Sequence, residues 1–336
     1  MDTKINYAFL FYILLFFLTK SFNTGLAAGL NTLFRYFLDY FVYFWVYYFV
    51  AGNLKRHRYI DRAIFFAGIL SISYGLLQIA GFDFFHRLKD VTRISGFHKN
   101  SYTYAGQLVI FLFFLFSKLD IKKLNIWRLS SIFLCMICIF STTERAVIIG
   151  VIISLIFYFF YTVKKESIFI VFSVLFVPIG LVLFFNKTFT KKFKNLLSPS
   201  AKWRNNTRFK LWNIAIGLWK KNLWFGVGKF PAVLHPGSHQ TAHFLTHAHN
   251  VYLQILVTNG ILGFLSFIGL FASVIKKAVL TLRTNPLSIY LLLVILVFMI
   301  EGFFEYFWGD SEVRYLFLFF LGYVFSKPMT LKAEKL

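Results

Sequence analysis

Charged residues, and acidic residues above all, are scarce in this sequence. Only 15% of the 336 residues are charged, and 13 Asp and Glu stand against 36 Lys and Arg, which gives a net charge of +23. Soluble domains carry about 25% charged residues. A chain of this length cannot bury so much apolar surface in a water-soluble core, so the composition argues against a soluble protein.

Cysteine is also scarce. Cys135 and Cys138 both lie inside an apolar run. A C-x-x-C pair can be redox-active or bind a metal, but no other cysteine accompanies this one. Cysteine in apolar surroundings behaves mainly as a small apolar residue. We interpret both as packing residues, and the sequence implies no disulfide framework.

No nucleotide-binding glycine loop is found in the chain. Gly226 and Gly228 in LWFGVGKF form only a short G-x-G, which is weak as a phosphate-loop signal. A turn in which backbone approaches backbone closely is the better interpretation. Paired carboxylates at metal-binding spacing are missing as well.

Histidines recur every four residues in one loop, at His235, His239, His243 and His247. This spacing could indicate a helical metal-binding face. However, Pro236 and Gly237 interrupt the first turn, and no acidic residue or cysteine completes a site. We therefore predict neither a metal site nor a cofactor.

Apolar residues dominate what remains. They make up 58% of the chain and include 47 Phe, and the mean hydropathy is +0.68. Repeated apolar runs long enough to cross a bilayer predict an all-α, polytopic membrane helix bundle of about ten transmembrane helices. The predicted spans are 5–19, 36–51, 63–81, 102–117, 127–143, 146–163, 167–185, 250–275, 287–307 and 313–326. No repeat divides the chain, so residues 1–336 are predicted to form a single membrane domain.

The distribution of basic residues predicts the orientation of these spans. With the N-terminus in the cytoplasm, the inside segments carry about twice as many Lys and Arg residues as the short outside segments. Both termini are therefore predicted to be cytoplasmic. No small-residue cleavage site follows the first apolar run, so we expect Tyr7 to Thr19 to remain as a span. Residues 187–249, between spans seven and eight, become a long extracytoplasmic insertion.

One part of this insertion has helical spacing. Apolar residues recur from Thr207 to Trp219 with the period of a helix, and Asn206 or Thr207 could cap its start. Lys220 and Lys221 suit the negative end of the helix dipole. We predict a Trp-containing amphipathic helix at the membrane surface that presents Arg208 near its beginning.

The predicted topology collects most of the unusual polar residues on the outer side. These are Arg93, His98, Lys99, Asn100, Glu144, Arg145, Arg208, His247, His249, Asn250, Glu301, Glu305, Asp310, Glu312 and Arg314. Ionisable residues at membrane depth are functional hypotheses by default. Arg145 is either half of a snorkelling pair with Glu144 or an anion site, since a guanidinium binds phosphate oxygens bidentately. His249 is either a capping residue or a general base near pH 7.

Several motifs, in order, resemble those of one family. They are RISGFHKNSYTYAG, STTERAVIIG, TRFKLWNIAI with LWFGVGKF, AHNVYLQILVTNGILGFLSF and GFFEYFWGDSEVRYL. Together they are similar to elements of the O-antigen ligase and O-antigen polymerase superfamily of bacterial envelope enzymes, over roughly residues 60–325. The chain differs from that pattern in having Glu144 where Ser is usual, Asn100-Ser101 in place of Asn-Pro, and about ten spans rather than twelve.

The resemblance implies a metal-independent glycosyltransferase of the bacterial inner membrane, with its active site facing the periplasm. The donor would be an undecaprenyl-diphosphate-linked glycan, the acceptor lipid A core or another glycan, and the surroundings membrane lipids, with no nucleic acid. Arg145 and Arg208 would stabilise the diphosphate leaving group, and His249 would take the acceptor proton. The implied substrate-binding residues are Arg93, His98, Lys99, Asn100, Glu144, Trp212, His247 and Asn250.

Three alternatives remain open at this point. The chain could be a polymerase of repeat units rather than a ligase. It could be a polysaccharide or lipid transporter, although transporters usually show repeat symmetry and polar residues near the bilayer midplane. Glu144 beside Arg145 also leaves open a family member without activity.

Overall fold

The computed structural model describes residues 3–85, 93–119, 125–162, 177, 180, 199–234 and 244–326. These residues form ten α-helices and a single antiparallel pair of two-residue strands. The predicted all-α fold is thus confirmed for the described part of the chain.

The helices are numbered here in chain order, with bounds as observed. They are α1 (Thr3–Thr24), α2 (Leu26–Val50), α3 (Leu54–Ile79), α4 (Ser101–Ser117), α5 (Ile126–Ser141), α6 (Arg145–Thr162), α7 (Pro199–Lys221), α8 (Val251–Leu280), α9 (Leu287–Glu301) and α10 (Ser311–Ser326). The strands are β1 (Val233–Leu234) and β2 (Phe244–Leu245), and a 3₁₀ turn covers Phe307–Gly309.

Helices occupy the predicted spans that fall on described residues, with two notable differences. Residues 20–35, which fall between the first two predicted spans, are helical as well, because α1 runs to Thr24 and α2 begins after a break at Gly25, where φ is +90°. The span predicted at 287–307 was too long, since α9 ends at Glu301 and the chain turns. Apart from residues 177 and 180, the span predicted at 167–185 lies outside the described residues.

The apolar helices give the chain the character of a membrane protein. Among the described residues, the segments Lys4–Thr24, Leu54–Ile79 and Val251–Leu280 are long and apolar enough to cross a bilayer. Four shorter apolar helices accompany them. Large apolar side chains such as Phe66, Trp127 and Phe160 are more than three-quarters exposed, as suits contact with lipid. The number of spans and their orientation stay predictions.

The fold divides into two compact units, and we describe each by itself. The first unit comprises Met1–Phe44, Leu197–Leu280 and Gly302–Gly309. Its central element is α8, against which α1, α7 and the 3₁₀ turn pack. Trp308 of the 3₁₀ turn is buried, and its indole nitrogen donates to the Tyr12 hydroxyl at 2.8 Å.

The second unit comprises Trp45–Leu196, Thr281–Glu301 and Asp310–Leu336. Helix α4 lies at its centre and contacts α3, α5, α6, α9 and α10. Every residue from Leu108 to Phe116 of α4 is apolar and buried, which is the pattern of a helix surrounded on all sides. Cys135 and Cys138 are buried and unbridged in α5, as their packing interpretation predicted.

Candidate active site

The beginning of α8 is tied to the turn at residues 302–303. Asn250 caps the helix, because its Oδ1 accepts the Leu253 backbone N–H at 2.9 Å. Its side-chain nitrogen donates to the Phe303 carbonyl at 3.2 Å, and the Val251 N–H donates to the Gly302 carbonyl at 2.8 Å. The His-Asn motif therefore places its histidine beside the segment that carries Glu305.

His249 itself has an uncommon backbone conformation. Its φ is +48°, in the left-handed region that costs a residue with a Cβ about 1 kcal/mol or more. The preceding residue is held firmly: the Ala248 N–H donates to Gln254 at 2.8 Å, and the Trp212 indole donates to the Ala248 carbonyl at 3.1 Å. A non-glycine residue held in such a conformation is a pointer to function.

The imidazole of His249 is paired with Glu305. Its Nδ1 lies 3.0 and 3.1 Å from the two carboxylate oxygens, so the Nδ1–H donates to the carboxylate. Among the described residues, nothing hydrogen-bonds to Nε2. The bond at one ring nitrogen fixes the tautomer, and the lone pair of Nε2 is left to accept a proton. This is the arrangement of a general base with an orienting carboxylate.

Glu305 also faces a guanidinium. Nη2 of Arg208 lies 3.7 Å from its Oε1, and the Arg208 side chain remains 38% exposed. Burial raises the pKa of Glu305, but the hydrogen bond from His249 and the positive charges of His249, Arg208 and His247 outweigh it and lower the pKa. The carboxylate therefore stays ionised at neutral pH and can hold both groups.

His247 completes this cluster. Its ring centroid lies 4.1 Å from that of His249. Burial, and next the charge of His249, lower the pKa of His247 against the opposing effect of Glu305. One ligand atom each from His247, His249 and Glu305 lie within 4.8 Å of one another, so these three residues could hold a metal ion.

Helix α7 supports the cluster from one side. It begins at Pro199, so the predicted cap at Asn206 or Thr207 was wrong, and the helix is longer than its apolar period indicated. Leu211 and Ala215 are buried in a small core with Phe230, Ala248 and Val257. The apolar spacing thus serves packing within the protein, and through Trp212 it supports the residue before His249.

The glycine-rich turn at 226–228 docks on a break in α8. The N–H groups of Val227 and Gly228 donate to the carbonyls of Val257 and Thr258 at 2.7 and 3.0 Å. These bonds form next to the interruption of α8 at Gly260. The φ of Gly260 is +64°, and a Cβ at this position would overlap the Trp224 carbonyl. Close approach of backbone to backbone explains the glycines, as the sequence indicated.

The second unit holds another predicted group. Oε1 of Glu144 accepts from Ser101 Oγ at 2.5 Å and lies 3.3 Å from Nη1 of Arg93. Arg145 is the first residue of α6. A cation is unfavourable at the positive end of a helix dipole, so its presence there strengthens an anion-attracting region.

A second histidine–glutamate pair, His98 with Glu312, also lies in the second unit. His98 Nδ1 is 2.5 Å from Oε2 of Glu312, and its Nε2 is 2.6 Å from Oε1 of Gln107. Both ring nitrogens are therefore engaged. Lys99 and Asn100 are exposed beside it, and Asn100 precedes α4 without a capping bond from its side chain.

The predicted site residues thus fall in two groups, each within one unit. The first contains Arg208, Trp212, His247, His249 and Asn250, and the second contains Arg93, His98, Lys99, Asn100, Glu144 and Arg145. Sequence reasoning missed Glu305 and Glu312 as histidine partners. The available signal was their place in an acidic hairpin of a chain with only 13 acidic residues.

Comparison with known families agrees with the resemblance read from the motifs. The family model for O-antigen ligase matches residues 129–268, which include Glu144, Arg145, Arg208, His249 and Asn250. No curated protein matches the chain significantly. The match covers less than half of the chain, and over these residues the chain is similar to O-antigen ligases.

Proposed function

We propose that the protein is a membrane glycosyltransferase that moves a glycan from an undecaprenyl-diphosphate carrier to the hydroxyl of an acceptor sugar. A lipid A core acceptor, and hence an O-antigen ligase, is the first candidate, and a polymerase that uses another lipid-linked repeat unit is the second. The observation that carries the proposal is the His249–Glu305 pair with Arg208 beside it, in a chain whose residues 129–268 match the O-antigen ligase family model.

The proposed reaction is a single displacement. The acceptor hydroxyl oxygen attacks the anomeric carbon of the donor glycan, and its proton passes to Nε2 of His249. The bond from that carbon to the diphosphate oxygen breaks, and the carrier leaves as its diphosphate. General-base assistance of this kind contributes about 10² to 10⁴ in rate. Glu305 acts as a positioning residue that also stabilises the imidazolium formed.

Cations are proposed to stabilise the leaving group. Arg208 is partly exposed and shares the Glu305 carboxylate with His249, so it can contact a bound diphosphate without leaving the cluster. Arg145 begins α6, where the guanidinium and the helix dipole both favour a phosphate. The carboxylate of Glu144, the residue before Arg145, accepts from Ser101 Oγ and lies 3.3 Å from Nη1 of Arg93.

A transfer assay tests the proposal directly. Purified protein, an undecaprenyl-diphosphate-linked glycan and either lipid A core or a second lipid-linked unit are combined, and products are separated on a gel. Transfer to lipid A core assigns a ligase, and transfer to the lipid-linked unit assigns a polymerase. The absence of transfer to either acceptor would contradict the proposal.

Two variants test the residue roles in a strain that lacks its own enzyme. We expect Arg145→Ala and His249→Ala to abolish complementation, and full activity of both would overturn the mechanism. A third variant, Arg208→Ala, should also weaken complementation, and Lys210→Ala is its matched control because Lys210 is exposed on the same helix. The proposed orientation, with cytoplasmic termini and a periplasmic site, predicts that alkaline phosphatase fused to either terminus stays inactive.

A further inference from the structure

We propose that His247, His249 and Glu305 bind a divalent transition-metal ion such as Zn²⁺, and that the metal reversibly inhibits the protein by occupying the histidine needed as base. The binding stands on geometry alone, whereas the inhibition rests on the proposed function. The cluster was not expected from the spacing of the loop histidines, which pointed to His235, His239 and His243 as companions of His247.

The donor set has the chemistry of an open metal site. Two imidazoles and one carboxylate are the protein ligands of several zinc sites that leave a fourth position free. Such ligands bind at about 2.0–2.2 Å, which places neighbouring donor atoms about 3.4 Å apart in a tetrahedron. His249 Nδ1 and the Glu305 carboxylate are already 3.0 Å apart, and all three donors lie within 4.8 Å. Small side-chain movements would complete the site.

The backbone around the cluster is fixed rather than free to spread. Asn250 caps α8, Trp212 holds the Ala248 carbonyl, and the stretch from Ala248 to Val251 is tied to Gln254 and Gly302. His247 and His249 are separated by one residue, and the left-handed conformation of His249 goes with a ring separation of 4.1 Å. Ligands held in place lose little conformational entropy when a metal binds.

One charge opposes the metal. Arg208 lies 3.7 Å from Glu305, so a divalent cation must compete with the guanidinium for the same carboxylate. The Arg208 side chain is partly exposed and can turn towards solvent. This competition weakens metal binding, so the metal can be released again. Removing Arg208 should therefore raise metal affinity, and removing a ligand should lower it.

Metal binding has a direct consequence for the chemistry. A neutral imidazole that binds a metal through Nδ1 carries its proton on Nε2, so Nε2 no longer has a lone pair for the acceptor proton, and Glu305 no longer orients the ring. Excess Zn²⁺ should therefore inhibit glycan transfer, and a chelator should restore the transfer.

Co²⁺ binding by the purified full-length protein tests the site, because tetrahedral Co²⁺ absorbs visible light. The protein is purified in detergent through a tag without histidine. We expect one Co²⁺ per chain, displaced by Zn²⁺. His247→Ala and Glu305→Gln should each weaken binding at least about tenfold, because loss of a residue that only orients a ligand already costs about 10- to 100-fold. Arg208→Gln should tighten it several-fold.

Two controls locate the signal. A variant with His235, His239 and His243 all replaced by Ala should bind Co²⁺ like the wild type, and so should His98→Ala, which alters the other histidine–glutamate pair. Each variant is first checked for its elution volume and melting temperature, so that only folded protein is compared.

The outcomes separate this inference from the proposed function. Co²⁺ binding that is absent, or unchanged in both His247→Ala and Glu305→Gln, overturns the metal site whether or not the protein transfers glycans. Loss of binding in the variant without the three loop histidines also overturns it. Co²⁺ binding with the predicted variant pattern, in a protein that transfers no glycan, supports the metal site while the proposed function fails.

Discussion

The described residues contain two histidine–glutamate pairs, which differ first in the histidine nitrogen that lies away from the glutamate. His249 donates Nδ1–H to Glu305, and no described residue hydrogen-bonds to its Nε2. His98 contacts Glu312 through Nδ1 and Gln107 through Nε2. One imidazole keeps a ring nitrogen for chemistry, while the other uses one nitrogen to contact Glu312 of α10 and the other to contact Gln107 of α4.

The carboxylates differ as well. The Glu305 side chain is 19% exposed and also faces Arg208, while that of Glu312 is 59% exposed. Interactions of an exposed carboxylate are screened by solvent and contribute little. A histidine beside a glutamate is therefore not enough to indicate a base. What separates the two pairs is the open nitrogen, the partly buried carboxylate and the nearby cation.

The largest effect is expected from removing the open imidazole. His249→Ala should lower the rate of glycan transfer by about 10³, within the range for loss of a general base. The matched variant His98→Ala should lower it by less than about tenfold, because neither nitrogen of His98 is available to a substrate. The measurement is the initial rate of transfer in detergent. Equal losses in the two variants would erase the distinction drawn between the pairs.

The next effect concerns the carboxylates. Glu305→Gln keeps the shape of the side chain but removes the charge that orients His249 and stabilises its imidazolium, so the rate should fall by about 10² with little change in KM. Glu312→Gln makes the same change in the other pair and should alter the rate only a few-fold. A Glu305→Gln enzyme as fast as the wild type would show that His249 needs no orienting carboxylate.

Variants of the His98–Glu312 pair, which are expected to change the transfer rate least, should have the larger effect on thermal stability. His98 joins two segments of the second unit through both nitrogens, so His98→Ala should lower Tm by a few degrees. Glu312→Gln retains a hydrogen-bonding group and should lower it less. Thermal unfolding in detergent, followed by circular dichroism, measures both. If the Tm of His98→Ala equals that of the wild type, the hydrogen bonds of this pair do not stabilise the fold.

Much of this architecture could be predicted from the sequence, and the reasons are physical. Apolar runs determine where helices form, so α4, α5 and α10 lie within a few residues of their predicted bounds. The end of α9 was missed because the turn at Gly302 is stabilised by hydrogen bonds from Asn250 and Val251, which are distant in sequence. Local pattern contains no information about such partners.

The site divides in the same way. His249, Arg208 and Arg145 could be selected from the sequence because their motifs resemble those of a superfamily, and the O-antigen ligase family model matches residues 129–268. Glu305 was not selected because 56 residues separate it from His249, and only the folded chain joins them. Substrate binding by Trp212 stays a prediction, and its indole nitrogen donates to the Ala248 carbonyl, a contact that a helical period cannot reveal.

The smallest expected effect concerns the pH dependence of stability and involves His247, which lies beside the His249–Glu305 pair. Its pKa is lowered from an ordinary value of 6.5, chiefly by burial, so the folded protein binds fewer protons than the unfolded chain in mildly acidic solution. The stabilisation that results is complete above about pH 6.5 and is lost as the pH falls through the lowered pKa. Removing the group should therefore reduce the acid sensitivity of the fold.

His247→Asn should accordingly lose less in Tm than the wild type when the pH is lowered from 7.5 to 5.5. The groups facing His247 are His249, Glu305 and Tyr306, and the lowered pKa of Glu305 keeps that carboxylate ionised across this range. A chelator in the buffer prevents adventitious metal from binding the cluster. His98→Asn is the matched control. If both variants change the pH dependence of Tm equally, the burial of His247 beside the His249–Glu305 pair does not set the acid sensitivity. The two histidine–glutamate pairs would then be more alike than their geometry indicates.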